Sequence, residues 1–120
     1  MNSFAKIERL NKRKLINQLF SSESKSFNLN PLRIVYLPHP SDEVTSVLIS
    51  VSKRHFKRAV KRNRVKRQIR EAYRNNKDLL SKDGGEKHWL IAFIYLCDEL
   101  VASEAIDACM KLALTRIAEN

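Results

Sequence analysis

The chain has few of the residues that make linkers or cross-links. Its 120 residues include only 2 glycines, 3 prolines and 2 cysteines. So little glycine and proline leaves almost no room for flexible linkers, and a chain of this length builds one core but not two. We therefore predict a single domain over residues 1–120.

Hydrophobic runs are short as well. None approaches the roughly 20 apolar residues that a membrane-spanning helix needs. The first residues, MNSFAKIERLNKRK, have no apolar core of the signal-peptide kind. Cys97 and Cys109 lie in apolar periodic segments and are predicted to be ordinary buried thiols. These features predict a cytoplasmic protein with no membrane partner.

The motifs of catalysis and metal binding are missing too. The three histidines share no metal-ligand spacing with one another or with the cysteines. There is no glycine-rich phosphate loop, nucleophile elbow or paired-carboxylate motif. The sequence therefore predicts no catalytic residue and no metal site in the protein itself.

Acidic residues are scarce relative to basic ones. The chain has 23 Lys and Arg against 13 Asp and Glu, a net charge of +10. Its hydrophobic content of 43% indicates a folded protein and not a disordered basic tail. A folded domain this basic typically binds a polyanion, either a nucleic acid or an anionic membrane.

Hydrophobic periodicity predicts three helices and four strands. The helices are expected over 11–20, with Asn11 as N-cap, over 59–76, and from Ser103 as N-cap onward. Strands are expected at 32–37, 45–52 and 88–97, with a short edge strand near 26–28, and loops at 38–43 and 82–87. The continuous apolar run of 88–97 indicates a central strand. The class is α+β, an α–β–β–β–α–β–α sandwich of one sheet with helices.

Residues 57–74, KRAVKRNRVKRQIREAYR, concentrate nine basic residues on one predicted helix with a single acid, Glu71. Helical spacing places Val65, Ile69, Ala72 and Tyr73 on one stripe, which is expected to face the core. The opposite side carries Asn63, Lys66, Arg67, Arg70 and Arg74, which we call the cationic face. We expect Glu71, four residues after Arg67, to be the only acid that offsets this charge locally.

This charge arrangement lowers stability. Like charges at i,i+4, such as Arg70 and Arg74, repel by about 0.2–0.5 kcal/mol per pair. Lys57, Arg58, Lys61 and Arg62 crowd the helix N-terminus, where the macrodipole is also positive. We infer that the cations bind phosphates; the alternative is a merely solvated face, which normally mixes signs. Asn63 can donate and accept, so it can contact a base edge, a 2′-hydroxyl, a hydrated metal ion or a phosphate.

The segment SVSKRHFKRAVKRNRVKRQIREAYR, residues 50–74, resembles the signature of the bacterial ribonuclease P protein component, in which Arg62-Asn63-Arg64 forms the RNR motif. The resemblance continues in order through 9–20, similar to the family's first helix, and 30–37, similar to its cleft strand. It implies the family's sandwich, related to the second domain of a small-subunit ribosomal protein, with a left-handed βαβ crossover around the RNR helix. The usual rule for such crossovers predicts the opposite hand.

The resemblance also implies a function. In this family the protein is the non-catalytic subunit of an endoribonuclease, and an RNA subunit with its Mg²⁺ removes the 5′ leader from precursor tRNA. The implied partners are ribonuclease P RNA and precursor tRNA, with no obligate protein partner. Mg²⁺ would be held mainly by the RNA.

Two residue sets follow from the helix and the resemblance together. The predicted RNA-binding residues are Lys53, Arg54, Lys57, Arg58, Lys61, Arg62, Asn63, Arg64, Lys66, Arg67, Arg70 and Arg74. The implied cleft for the single-stranded leader contains Ile16, Phe20, Tyr36, Ser50 and Ser52. Ile16 stands where the family commonly has an aromatic residue, and the alternative for Phe20 and Tyr36 is an ordinary place in the core. His55 and Phe56, in a loop one residue longer than the family's usual form, either project toward RNA or fill a gap.

Two other functions fit the charge. One is a different RNA-binding scaffold, for example a small ribosomal protein. The other is a DNA-binding regulator whose basic helix enters the major groove. The latter is disfavoured because no heptad zipper follows the basic helix and no second helix lies at helix-turn-helix spacing. The density of the RNR match disfavours the former.

Overall fold

The fold follows the predicted order of elements. The computed structural model describes residues 16–17, 19–21, 24–38, 45–54, 56–84 and 88–119. Its elements are β1 (Lys25–Leu29), β2 (Leu32–Pro38), β3 (Ser46–Val51), α1 (Ala59–Asn76), a 3₁₀ helix (Lys77–Gly84), β4 (Trp89–Tyr95) and α2 (Ser103–Ala118). Of the predicted first helix, residues 16, 17 and 19 are helical, and its expected N-cap Asn11 lies outside the described residues. The α+β class is confirmed.

The four strands form one mixed sheet in the order β1-β2-β4-β3. Strand β2 pairs antiparallel with both β1 and β4, whereas β3 and β4 are parallel. The apolar strand β4 is therefore central, as its continuous hydrophobic run predicts. Helix α1 lies in the connection between the parallel strands β3 and β4, and the left-handed crossover there stays a prediction.

The sheet has two different faces. On the helix-covered face, α1 and α2 pack over buried side chains such as Ile34, Val47 and Phe93. The predicted core stripe of α1, Val65, Ile69, Ala72 and Tyr73, is buried there, which confirms its amphipathic pattern. On the opposite face, which we call the open face, Leu19 packs against a small cluster that includes Val35 and Leu90.

The structure corrects two predicted boundaries. Residues 82–84, expected to be loop, belong to the 3₁₀ helix Lys77–Gly84, in which Leu80 packs against the core; residues 85–87 lie outside the described part. Ser103 is the first residue of α2 and not its N-cap, which is Ala102. Its hydroxyl is instead 3.0 Å from Gln68 Nε2 of α1, so it joins the two helices.

Both cysteines are free thiols. Cys109 is buried and donates to the Leu29 carbonyl at 3.1 Å, and burial raises the pKa of its thiol. Cys97 is half-buried. Among the helices that the structure describes, none is long and apolar enough to cross a membrane.

Candidate nucleic-acid interface

Helix α1 displays its basic side chains along the side that faces away from the sheet. Asn63 and Arg67 are exposed, and Lys66, Arg70 and Arg74 are half-buried. Because Val65, Ile69, Ala72 and Tyr73 fix the opposite stripe in the core, the rotation of the helix about its axis is determined by packing. The cationic face predicted from helical spacing is therefore a continuous surface on a rigid element.

The half-buried arginines are held by their stems. The Nε atoms of Arg70 and Arg74 are buried, and neither has a hydrogen-bond partner among the described residues. A guanidinium whose stem is packed loses less side-chain entropy when it binds a partner. Glu71 is hydrogen-bonded to Arg74 and not to Arg67, which corrects the expected i,i+4 pairing. The charge of Arg67 is thus left without an ion pair in the described part of the chain.

The loop before α1 extends the basic surface. Lys53, Arg54, Lys57 and Arg58 are all exposed. Phe56 between them is 5% exposed, and its ring lies 5.9 Å from that of Tyr95. Of the two alternatives for Phe56, the structure supports the one that fills the core, whereas His55 lies outside the described residues.

Arg62 differs from the other cations. Its Nη1 donates to the carbonyl oxygens of Phe56 at 2.8 Å and of Lys57 at 2.9 Å. Arg64, the other arginine of the RNR motif, is exposed, and no described residue accepts a hydrogen bond from it. The two arginines therefore have different surroundings, which the sequence does not distinguish.

The open face of the sheet carries part of the predicted leader cleft. Ser50 and Ser52 are exposed, and Ile16 packs against the cluster around Leu19. Phe20, next to Leu19, is 50% exposed. An aromatic side chain with half of its surface in solvent can stack on a nucleotide base.

Tyr36 does not belong to this cleft. Side chains alternate along β2, so Tyr36 shares the helix-covered face with Leu32 and Ile34. It is 5% exposed and makes edge-to-face contacts with Phe27 and Trp89, with centroids 5.7 and 5.8 Å apart. The predicted place of Tyr36 in the leader cleft is wrong, because the pleat puts Val35, its neighbour, on the open face.

Arg33 lies on the open face and belongs to neither of the predicted residue sets. In the sheet register Asn28, Arg33, Ile94 and Ser50 are cross-strand neighbours in one row over all four strands. Arg33 has Asn28 on one side and Ile94 on the other, so its cross-strand neighbours carry no acid. A cation inside an otherwise apolar strand was the signal that could have indicated this residue, because such a position is normally apolar in a buried strand.

The fold and the cationic surface together are typical of a small nucleic-acid-binding protein. A family model described as ribonuclease P matches residues 4–117. The ribonuclease P protein component of Porphyromonas gingivalis strain W83 is 46% identical, over 97% of this chain and 87% of that protein. That of Chlorobium phaeobacteroides is 44% identical over 67% of this chain and 58% of that protein.

Solved structures have the same fold. The ribonuclease P protein from Thermotoga maritima covers 92% of this chain and 97% of its own at a TM-score of 0.75 and 24% identity. That from Staphylococcus aureus covers 91% and 94% at a TM-score of 0.70 and 19% identity. The chain belongs to the ribonuclease P protein family.

Family membership confirms the function implied by the RNR segment. The chain is a protein component of ribonuclease P, the endoribonuclease of tRNA 5′ processing, and ribonuclease P RNA is its partner. The ribosomal and DNA-binding alternatives are not favoured. Ribonuclease P generally uses Mg²⁺, and no group of three or more His, Cys, Asp or Glu side chains in the described part of the chain is placed to hold a metal.

Proposed function

We propose that the protein binds ribonuclease P RNA through α1 and its preceding loop, and the 5′ leader of precursor tRNA along the open face. It thereby assists Mg²⁺-dependent removal of the leader, and the Mg²⁺ is held mainly by the RNA. The protein acts in the cytoplasm and needs no obligate protein partner. The observation that carries the proposal is the cationic face. Packing holds the stems of Arg70 and Arg74, and Arg67 is exposed and has no ion pair among the described residues.

The contact with ribonuclease P RNA would be electrostatic. From Asn63 to Arg74 the helix rises about 16 Å, at about 1.5 Å per residue, so its cations lie along a line that can follow several phosphates. Each neutralised phosphate releases counterions, and roughly six to eight contacts give a slope of log affinity against log salt of about −4 to −7. The Asn63 amide adds a contact that does not depend on charge.

The contact with the leader would use the row Asn28, Arg33, Ile94 and Ser50. Neighbouring strands are about 4.8 Å apart, so the row extends about 14 Å across the sheet. Single-stranded RNA is bound where positive charge lies beside surfaces for base stacking. Arg33 would take a phosphate, and the half-exposed Phe20 and Ile94 would contact bases. Since mature tRNA has no leader, this contact favours the substrate over the product.

Reconstitution with ribonuclease P RNA tests the proposal directly. At a Mg²⁺ concentration where the RNA alone is slow, adding the protein should increase 5′-leader cleavage of precursor tRNA. The reason is that the bound cations replace part of the Mg²⁺ that neutralises phosphate repulsion. Cleavage is measured from the released 5′-labelled leader on a gel, with equimolar lysozyme as a basic-protein control. No increase beyond that control would contradict the proposal.

Replacement of Arg33 tests the leader path. Arg33→Ala should reduce the affinity of the reconstituted complex for precursor tRNA about fourfold near 0.15 M salt, the loss expected for one phosphate contact. Affinity for mature tRNA should not change. Lys25→Ala is the matched control, because it removes one positive charge from the same sheet at the far edge of the helix-covered face. Equal losses for both tRNAs would show that Arg33 does not contact the leader.

A further inference from the structure

Helix α1 begins without the usual N-terminal cap. Its N-cap residue is Arg58, no side chain accepts a hydrogen bond there, and the first turn contains no acidic residue. Ser, Thr, Asp or Asn normally fill this position. An acid at the N-cap position would, however, replace Arg58 and place a negative charge beside Lys57 and Lys61, where a phosphate is expected to bind.

Arg62 stabilises this end of the helix by a different route. One nitrogen of its guanidinium, Nη1, donates to two consecutive loop carbonyls, those of Phe56 and Lys57. Hydrogen bonds from a charged donor are short and strong, and the planar guanidinium fixes their direction. The loop is thus tied to the first turn of α1 by a group that keeps the local charge positive.

Other contacts among the described residues also hold the loop. Phe56 packs on Tyr95, and the Phe56 amide donates to the Ser52 carbonyl at 3.3 Å. Tyr95 in turn donates to the Glu99 carbonyl at 2.7 Å. Burial, reinforced by Cys97, raises the pKa of Tyr95 to about 12, so the hydroxyl keeps its proton well above neutral pH. On the outer side, a cavity of about 510 Å³ separates the loop from residues 98–100. Lys57 and Arg58, which line this cavity, are exposed.

We propose that Arg62 is a positioning residue, whose paired hydrogen bonds to Phe56 and Lys57 set the place of the loop cations relative to the cationic face. The loop cations are Lys53, Arg54, Lys57 and Arg58. The contribution of these cations to RNA binding rests on the proposed function, whereas the hydrogen bonds from Arg62 to the loop do not. Arg62 and Arg64 then have separate roles: one orders the surface, and the other contacts the RNA.

The salt dependence of binding to ribonuclease P RNA separates these roles. Arg64→Ala should flatten the salt slope by about one unit, and Arg64→Lys should restore most of that loss. Arg62→Ala should flatten it by about two units or more, since misplaced loop cations lose their phosphates too. Arg62→Lys keeps the charge but not the paired hydrogen bonds. It should therefore flatten the salt slope nearly as much as Arg62→Ala. If Arg62→Lys has the wild-type slope, or Arg62→Ala loses only one unit, the inference is overturned.

Amide hydrogen exchange of the free protein gives a second test that does not depend on RNA binding. Exchange of the Phe56 amide should become at least several-fold faster in Arg62→Lys than in Arg64→Lys, with the amides of β4 unchanged in both as a check on folding. Equal protection of Phe56 in the two variants would refute the inference even if the protein binds RNA as proposed. If instead the wild-type protein bound the RNA without salt dependence, the proposed function would fail while this test of the loop remained valid.

Discussion

Tyr36→Ala is expected to lower the free energy of unfolding by about 3–5 kcal/mol, the range for deleting a large buried aromatic side chain. Tyr36 is 5% exposed and lies between Phe27 and Trp89 in edge-to-face contact. Each such aromatic pair contributes about 0.5–1.5 kcal/mol beyond the buried area. Urea denaturation followed by circular dichroism measures the change.

Phe20→Ala is the matched control for Tyr36→Ala. Because Phe20 is 50% exposed, its removal should change the free energy of unfolding by less than about 1 kcal/mol. The effects on RNA should be the reverse: Phe20→Ala reduces affinity for precursor tRNA only, by about 1–3 kcal/mol for one lost stacking contact. Under conditions where it is folded, Tyr36→Ala should bind precursor and mature tRNA in the wild-type ratio. If Tyr36→Ala were stable and selectively lost affinity for precursor tRNA, Tyr36 would be shown to belong to the leader cleft.

The second large effect is expected from the cationic face. The double variant Arg67→Ala/Arg70→Ala should bind ribonuclease P RNA about 15- to 30-fold more weakly near 0.15 M salt, because two phosphate contacts and their counterion release are lost. The salt slope should flatten by about two units. Filter binding at several salt concentrations measures both quantities.

The control for this variant removes two positive charges that do not belong to the cationic face. Lys25→Ala/Lys111→Ala has the same net charge as Arg67→Ala/Arg70→Ala. Lys111 gives up only an exposed ion pair with Asp107, at 3.3 Å, which contributes little to stability. The control should bind with a salt slope within about half a unit of the wild type. Equal losses in the two double variants would mean that net charge, and not the cationic face, drives binding.

Secondary structure could be predicted where one period dominates a segment. The stripe of Val65, Ile69, Ala72 and Tyr73 was sufficient to predict a helix with one buried side. The continuous apolar run of β4 was sufficient to predict a strand buried on both faces. The errors fall at ends and loops. Residues 82–84 form part of a 3₁₀ helix in which Leu80 packs against the core. Ser103 accepts a hydrogen bond from Gln68 of the other helix. Neither the packing of Leu80 nor this hydrogen bond is local in sequence.

The candidate site was predictable only in part. The cationic face follows from helical spacing alone, so its residues could be named in advance. The residues of the leader cleft could not be predicted in the same way. Whether Tyr36 or Val35 lies on the open face depends on the pleat of the strand, and a shift of one residue exchanges the two faces. Arg33 was missed for the same reason, since the other residues of its row, Asn28, Ile94 and Ser50, come from three other strands.

The amino-acid sequence by itself determined that this protein is a basic α+β domain with one charged helix, because composition and periodicity are properties of each segment alone. Only the tertiary structure decided which charged side chains form hydrogen bonds within the protein. Arg62 and Arg64 are two residues apart and chemically identical, yet one is bonded to loop carbonyls and the other is exposed. The physical reason is that a hydrogen bond depends on which acceptors the folded chain brings within about 3 Å, and helical spacing does not encode this.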